Sequence, residues 1–346
     1  LPIPLGNETF KLTHQKISRR ELLTGTTATV FCTPTILKSQ IANPYSLNVA
    51  AIFPSTRSYQ IIHQDTIRMA LRGEIHYEYY DQVPAEEYES ILRNVSEKNF
   101  DLIITDSDEQ FDIVVNTLPD FPSNAYLLRS TKQPLENHAR TATFNQYVYE
   151  ASYLSGILAI GVSQSKTLGF IGSLFSPSSN RNINAFIQGA KEVDPDVRVI
   201  VDLLDTEATP GLINQKIEFQ TSEGVDLIYC ENVGSEKFVA AQNINFIGNL
   251  FDHYEEFPTL QISSTLWHFS PILHQATQRI RNNIFQTDNL DNYSGLRFGG
   301  CSLAPLRESI VKVQEDVLER VTRRLIEITN NNFIIANVEV EPESDY

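Results

Sequence analysis

Cysteine, positive charge and long apolar runs are all scarce in this chain of 346 residues. Its three cysteines, Cys32, Cys230 and Cys301, are too widely spaced for a CxxC metal site and too few for a disulfide framework. No run reaches the roughly 18 apolar residues of a membrane span, so none is expected in the mature chain. The 27 Lys and Arg are outweighed by 43 Asp and Glu, a net charge of −16. Such a surface repels phosphate and excludes nucleic acid as a general partner. Catalytic and cofactor signatures are also missing: there is no GxGxxG after a strand, no GxxxxGKS/T, no HExxH and no GxSxG. The seven histidines include no pair four residues apart, the spacing that sets two imidazoles on one helix face. Asp106-Ser107-Asp108-Glu109 could attract Mg²⁺. It reads better as a loop and helix start, with Asp108 as cap and Glu109 favoured by the helix dipole. These absences do not exclude catalysis, but the expectation they support is a protein that is not an enzyme and carries no cofactor or metal.

What is present fits a folded protein of more than one core. Hydrophobic residues make up 41% and charged residues 20%, and the length predicts about two domains at roughly 150 residues each. The charge is uneven. Residues 1–42 hold five basic and two acidic side chains, a net of +3, which leaves −19 on the remainder. Inside this leader Ser18-Arg19-Arg20-Glu21-Leu22-Leu23 precedes a moderately apolar stretch ending at Leu37, and the order is similar to a twin-arginine export signal. A basic amphipathic first helix is the plainer alternative. Phe31 before Cys32 argues against lipidation, cleavage near Ala42 is expected, and Leu1 in place of Met fits an unusual start codon or a trimmed chain.

From Leu47 the pattern alternates strand and helix. Strands are predicted at 47–53, 74–80 (an outer strand), 100–105, 124–128 and 142–145. Helices are predicted at 59–71, with Ile62, Ile67 and Leu71 on one face, at 84–98, and from Asp108 to before Pro119. The pattern restarts with a helix over 147–162, whose small residues Ser152, Ser155 and Gly156 invite another backbone to approach. Strands at 167–172, 197–204, 226–229, 245–248 and 260–263 follow, with helices at 177–191, 210–222 and 236–242 between them. A long amphipathic helix is expected over 306–328, burying Ile310, Val313, Val317, Val321 and Leu325. Such alternation implies two parallel-sheet α/β lobes in tandem.

The second lobe also carries landmarks in a specific order. Tyr149-Glu150-Ala151-Ser152-Tyr153-Leu154-Ser155-Gly156, then Lys166 to Gly172 (KTLGFIG), then Asn184 to Lys191 with Val193-Asp194-Pro195, then Gly224 to Tyr229, resemble the basic membrane protein (PnrA-like) family of substrate-binding proteins. Ile247-Gly248 followed by Asp252 sits where that family has its IGxDSD turn. Leu266-Trp267-His268-Phe269-Ser270-Pro271 resembles its hinge segment. The resemblance implies a type I periplasmic-binding-protein fold, α/β, with two Rossmann-like parallel-sheet lobes joined by a hinge. Lobe 1 would span 46–142 plus about 265–298, lobe 2 would span 143–264 plus about 299–336, and 337–346 would be an acidic, frayed tail. It further implies an exported, periplasmic or extracytoplasmic receptor of an ABC-type importer. Such a receptor works as a monomer with a permease and ATPase and closes on a small molecule, a nucleoside or purine-like compound being favoured. A ligand-sensing regulatory module with a signalling partner, or a hydrolase on the same fold, are the alternatives.

In doubly wound sheets ligands bind beyond the carboxyl ends of the strands. That rule selects Ser55, Thr56, Arg57 and Tyr59 after the first strand of lobe 1, and Asp106 and Ser107 after the third. In lobe 2 it selects Phe175, then Glu231 and Asn232, then Asn249 and Asp252, with Trp267 at the hinge as either a cleft wall or core. Carboxylates would hold ribose hydroxyls and aromatics would stack on a base. The sequence departs from the family pattern where ligand is contacted. FPSTRSYQ stands in place of the first-lobe Asp and SFN, the hinge lysine is absent, and Arg57 fits an anionic group.

Overall fold

The computed structural model describes residues 35–37, 46–54, 59–106, 109–132, 139–174, 177–205, 208–232, 234–308 and 310–346. The leader with Arg19, Arg20 and Cys32 lies outside them.

Two sheets organise the chain. The first is built from β1 (Thr35–Leu37), β2 (Leu47–Pro54), β3 (Ile75–Val83), β4 (Leu102–Asp106), β5 (Tyr126–Arg129), β6 (Thr141–Phe144) and β12 (Asp288–Asn289), in the order β1-β3-β2-β4-β5-β6-β12. The second contains β7 (Thr167–Ser173), β8 (Arg198–Leu204), β9 (Leu227–Cys230), β10 (Asn245–Leu250), β11 (Gln261–Trp267) and β13 (Cys301–Leu303), in the order β13-β11-β10-β9-β7-β8. Among the described residues only β1 and β13 pair antiparallel to their neighbours. In both lobes the first parallel strand lies between the second and third, so each sheet contains the 2-1-3-4-5 order with a topological switch point, extended in lobe 1 by β12 parallel to β6. In lobe 1 that point lies between β2 and β4, and in lobe 2 between β7 and β9. The chain crosses between sheets after Phe144, after Trp267 and before Cys301.

Alternation along the strands builds a core on each face of each sheet. In lobe 1, Val49, Ala51, Phe53, Leu102 and Ile104 face α1 (Tyr59–Leu71) and α8 (Ser270–Arg281). Ala50, Ile52, Ile103 and Leu128 face α2 (Ala85–Ser96) and α3 (Phe111–Thr117). In lobe 2, Phe170, Val199 and Tyr229 pack under α4 (Tyr149–Val162) and α5 (Pro177–Val193). Ile171, Ile200, Ile228 and Phe246 pack under α6 (Pro210–Ser222) and α7 (Glu236–Ala241). The small residues of α4 do admit another backbone. A Cβ at Gly156 would collide with the Phe186 carbonyl of α5, and one at Gly189 with the Tyr153 carbonyl of α4. This close approach is why both positions are glycine.

One carboxylate ties a crossover to lobe 1. Asp65 of α1 is 3% exposed, and its Oδ2 accepts hydrogen bonds from the Phe269 and Ser270 amides at 2.7 and 2.9 Å. It thereby caps the N-terminus of α8 from a distant element and complements its dipole.

Several expectations are corrected. The helix expected over 306–328 begins only at Glu315, as α9 (Glu315–Thr329). The Ala304 and Arg307 amides donate to the Ser264 and Ile262 carbonyls, so this stretch follows β11 without turning into a helix. Ile310 still packs on the lobe 2 core and Val313 on the core below the hinge, with Val317 inside it, while Leu325 is exposed. The helix expected from Asp108 starts at Phe111, and that at 147 starts at Tyr149. The strand at 74–80 is not outermost, because β1 pairs outside it. The strand at 260–263 continues to Trp267. In α1 the buried stripe is Ile61, Ile62, Asp65, Thr66, Met69 and Ala70, and Leu71, half a turn off the Ile62 face, is 71% exposed.

The tail is not frayed. The Asn184 amide donates to the carbonyls of Val338 and Val340, and Arg181 pairs with Glu339 at 2.6 Å. Beyond it, Asp345 Oδ2 accepts from the Val199 amide and the Asp345 amide donates to the Val199 carbonyl. Ser344 Oγ accepts from the Val201 amide, and the Tyr346 hydroxyl donates to the Val201 carbonyl. The tail satisfies groups on the open edge of β8 that an edge strand otherwise leaves bare.

Candidate functional site

The carboxyl ends of the lobe 2 strands converge on Glu231, which follows β9 directly. Its Oε2 accepts from the Ser173 amide at the end of β7 at 2.9 Å and from Ser179 Oγ in the first turn of α5 at 2.8 Å. Its Oε1 lies 3.5 Å from the Asn182 amide nitrogen. One carboxylate thus spans the switch point and the start of α5. Burial pushes its pKa up, while hydrogen bonds from Ser179, Ser173 and Asn182 pull it back. Asn232 donates to Ser173 Oγ at 3.3 Å.

Asn249 on β10 is 2% exposed. Its amide nitrogen donates to the Glu231 carbonyl at 3.1 Å, and its oxygen accepts from Thr265 Oγ1 at 2.6 Å and the Tyr229 hydroxyl at 3.2 Å. The Tyr229 hydroxyl also meets Ser152 Oγ of α4 at 3.1 Å. Asn249 is therefore the upper end of a buried network that fixes the rim. Asp252 pairs with Arg307 at 2.5 Å, and the Arg307 guanidinium lies 4.1 Å over the Tyr254 ring.

In lobe 1, Asp106 closes β4 and is fully buried. It pairs with Arg129, its register partner at the end of β5, whose pKa burial pushes down to about 10. Asp106 Oδ2 has no partner among the described residues. Tyr59 opens α1 stacked on Phe53 at 4.9 Å, edge-on to His63. Burial and the nearby Asp81 and Tyr79 raise its pKa.

Trp267 takes the core alternative. It is 2% exposed, lies parallel to the Phe144 ring and against Phe269, and donates from Nε1 to Ser294 Oγ at 3.2 Å. Ser55, Thr56, Arg57, Ser107 and Phe175 lie outside the described residues. Cys230 and Cys301 are both free and buried, and burial pushes both thiols up. No helix of the described residues is long and apolar enough to cross a membrane.

Sequence reasoning missed Arg129, Ser173 and the Ser179–Asn182 pair. Arg129 ends a strand, so the rule that selected Asp106 would have found it once extended to the fourth strand of lobe 1. Ser179 and Asn182 are three apart on one helix face, a spacing that carries no ligand signal by itself.

Comparison with known proteins places this architecture. A family model described as ABC transporter substrate-binding protein, PnrA-like, matches residues 60–337. A purine-binding protein of Brucella abortus is 22% identical over 238 residues, 67% of this chain and 67% of that protein. A putative ABC transporter glucose-binding protein, TsgA13, of Haloferax volcanii is 23% identical over 151 residues, 44% of this chain and 38% of that protein. Among solved structures, an ABC transporter solute-binding protein from Conexibacter woesei superposes with a TM-score of 0.67 at 14% identity, covering 84% of this chain and 99% of its own. A transcriptional activator of the comK gene from Bacillus halodurans gives 0.70 at 16%, covering 83% and 99%. These likenesses establish the type I periplasmic-binding fold. With the family match running from the first helix of lobe 1 to the tail, the chain belongs to the PnrA-like family of ABC transporter substrate-binding proteins, which are not enzymes.

Proposed function

We propose that the chain is the exported receptor of an ABC importer and that it closes its two lobes on an uncharged purine or nucleoside. The observation that carries this reading is the lobe 2 switch point, where Glu231 and Asn232, held in place by the buried Asn249, form a rigid, carboxylate-bearing rim beside α5. Exocyclic amines and ribose hydroxyls are the donors such a rim receives. Tyr59 supplies a ring for stacking from lobe 1. The Brucella relative's name supports the same class. In this proposal Ser55, Thr56, Arg57, Ser107, Phe175 and Asp252 complete the wall, while Trp267 acts in hinge packing. The leader directs export by the twin-arginine route, and permease and ATPase are the partners.

The Haloferax relative's name favours a sugar as a second reading. Isothermal titration with adenosine, guanosine, hypoxanthine, ribose and glucose separates the two. Binding of the purine compounds with no heat from glucose is expected. Glucose binding without any purine binding would replace the first reading by the second.

A further inference from the structure

Three segments carry the chain between the sheets: residues 145–148 after β6, 268–269 after β11, and 290–300 between β12 and β13. One side chain ties all three together. Ser294, fully buried, ends a 3₁₀ turn over Asp291–Ser294 in the third segment. Its hydroxyl donates to the Asn145 carbonyl at 2.5 Å and accepts from Trp267 Nε1 at 3.2 Å. Asn145 directly follows a lobe 1 strand and Trp267 ends a lobe 2 strand, so the hydroxyl gives its proton to one lobe and a lone pair to the other. The surroundings hold Ser294 in that place. A Cβ at Gly300 would lie 2.4 Å from the Ser294 Cα and 2.0 Å from the Tyr293 carbonyl oxygen, so the third segment folds tightly back on itself there. The His268 amide donates to the Gly300 carbonyl at 2.8 Å, and Glu150 Oε2 in the first turn of α4 accepts from the Leu296 amide at 2.7 Å. On the other side the Trp267 ring is fixed against Phe144 and Phe269.

We infer, on the reading that the lobes close over a ligand, that Ser294 is the hinge pin: a positioning residue that couples the three crossovers so that they turn together. It acts through Asn145 and Trp267, not on the ligand. Without the hydroxyl, the Asn145 carbonyl and Trp267 Nε1 lose their shared partner, and the first and second crossovers bend independently. The unliganded chain then samples wider openings, and the closed, binding-competent form becomes a smaller share of the whole. A buried hydroxyl with a merely structural role would behave differently. Its loss would lower the melting temperature and leave the separation of the lobes untouched.

Trp267 is the only tryptophan of the chain, so its fluorescence reads the pin directly. The full chain is compared with its Ser294→Ala and Trp267→Phe variants by small-angle X-ray scattering, tryptophan fluorescence and titration with adenosine. Ser294→Ala should enlarge the radius of gyration of the unliganded protein and speed the anisotropy decay of Trp267. It should also weaken adenosine binding about tenfold, as the competent fraction falls. Trp267→Phe keeps an aromatic ring and removes the Nε1 donor, and should enlarge the unliganded protein in the same way. The pin is overturned if Ser294→Ala melts at a lower temperature but keeps the parent's radius of gyration and adenosine affinity. If Ser294→Ala fails to fold, Trp267→Phe decides by scattering alone, and a radius of gyration equal to the parent's overturns the pin. Absence of adenosine binding in every protein would instead remove the purine reading, and scattering of the unliganded proteins would still decide the pin.

Discussion

The two lobes share a strand order and differ in how each settles the acid at its switch point. Lobe 1 buries Asp106 completely and neutralises it with a full charge, Arg129, across the β4–β5 register. Lobe 2 leaves Glu231 among neutral donors at the start of a helix. The first arrangement pairs opposite full charges, and removing either partner strands a charge in low dielectric. The second is a polar scaffold whose charge still projects a field toward the rim. Similar topology therefore yields one neutral edge and one acidic edge, so the two halves of the proposed site would ask different things of a ligand.

Breaking the lobe 1 pair should have the largest effect. Arg129→Met leaves Asp106 buried without a counter-charge and should cost about 3–5 kcal/mol in urea unfolding. The double variant Arg129→Met/Asp106→Leu should recover most of that loss, since both charges then go together. If the single variant unfolds with the parent's midpoint, the pair is not what holds this edge.

The outer edges of the sheets extend the comparison. Beside β3, lobe 1 has a true strand, β1. Beside β8, lobe 2 has the tail, which makes two of its four hydrogen bonds to the β8 backbone through the side chains of Ser344 and Asp345 and a third through the Tyr346 hydroxyl. Deleting residues 341–346 should cost about 2–3 kcal/mol, at roughly 0.5–1.5 kcal/mol per net hydrogen bond. The Val199 and Val201 amides should lose hydrogen-exchange protection while those of β3 keep theirs. Unchanged protection at both valines would show that the tail does not hold this edge in solution.

Much of this fold was legible because buried parallel strands write themselves as short apolar runs. FDLIIT and TLGFIG needed no context, and the α6 limits follow from Thr209 as cap and Pro210 in the first turn. The errors have a common physical source: periodicity reports burial, and it cannot say what backbone achieves that burial. Ile310, Val313 and Val317 are spaced for a helix stripe, and all pack, yet the first two do so from irregular chain that precedes α9. The tail was misread because EVEPESDY has little to bury. Its stability comes from completing another strand's hydrogen bonds, which composition does not record. At the site, strand ends pointed to Asp106, Glu231 and Asn249, but whether each faces a ligand or its own neighbours is decided by residues far away in sequence. Glu231 and Ser179 are one such pair.

At the lobe 2 switch point itself, a milder change should have a milder effect. Glu231→Gln keeps an acceptor for Ser179 and the Ser173 amide, and should cost about 1 kcal/mol, the scale of one weakened hydrogen bond. A loss as large as that of Arg129→Met would mean that the two acids are equivalent after all and that the contrast between the lobes is wrong.

The smallest effect concerns pH and belongs to lobe 1. His63 lies within a ring cluster of Phe53, Tyr59, Tyr77 and Tyr79, with its Nδ1 3.1 Å from the Tyr77 hydroxyl. Burial lowers its pKa, and Asp81 only partly offsets this. The unfolded chain then binds the proton more readily than the folded one, so His63 contributes stability above its ordinary value of 6.5 that is lost as pH falls through its lower folded pKa. Glu150 and Glu231, raised by burial, act with the opposite sign, since the folded state then gains stability as they protonate. The His63 contribution must therefore be read as a difference between proteins. Melting of His63→Gln should fall less steeply than that of the parent on acidification below pH 6.5, by less than the Glu231→Gln change. Tyr59, which leans on the same ring, makes this the point where lobe 1 stability and its proposed ligand edge meet. Parallel melting curves for the two proteins would separate His63 from that edge.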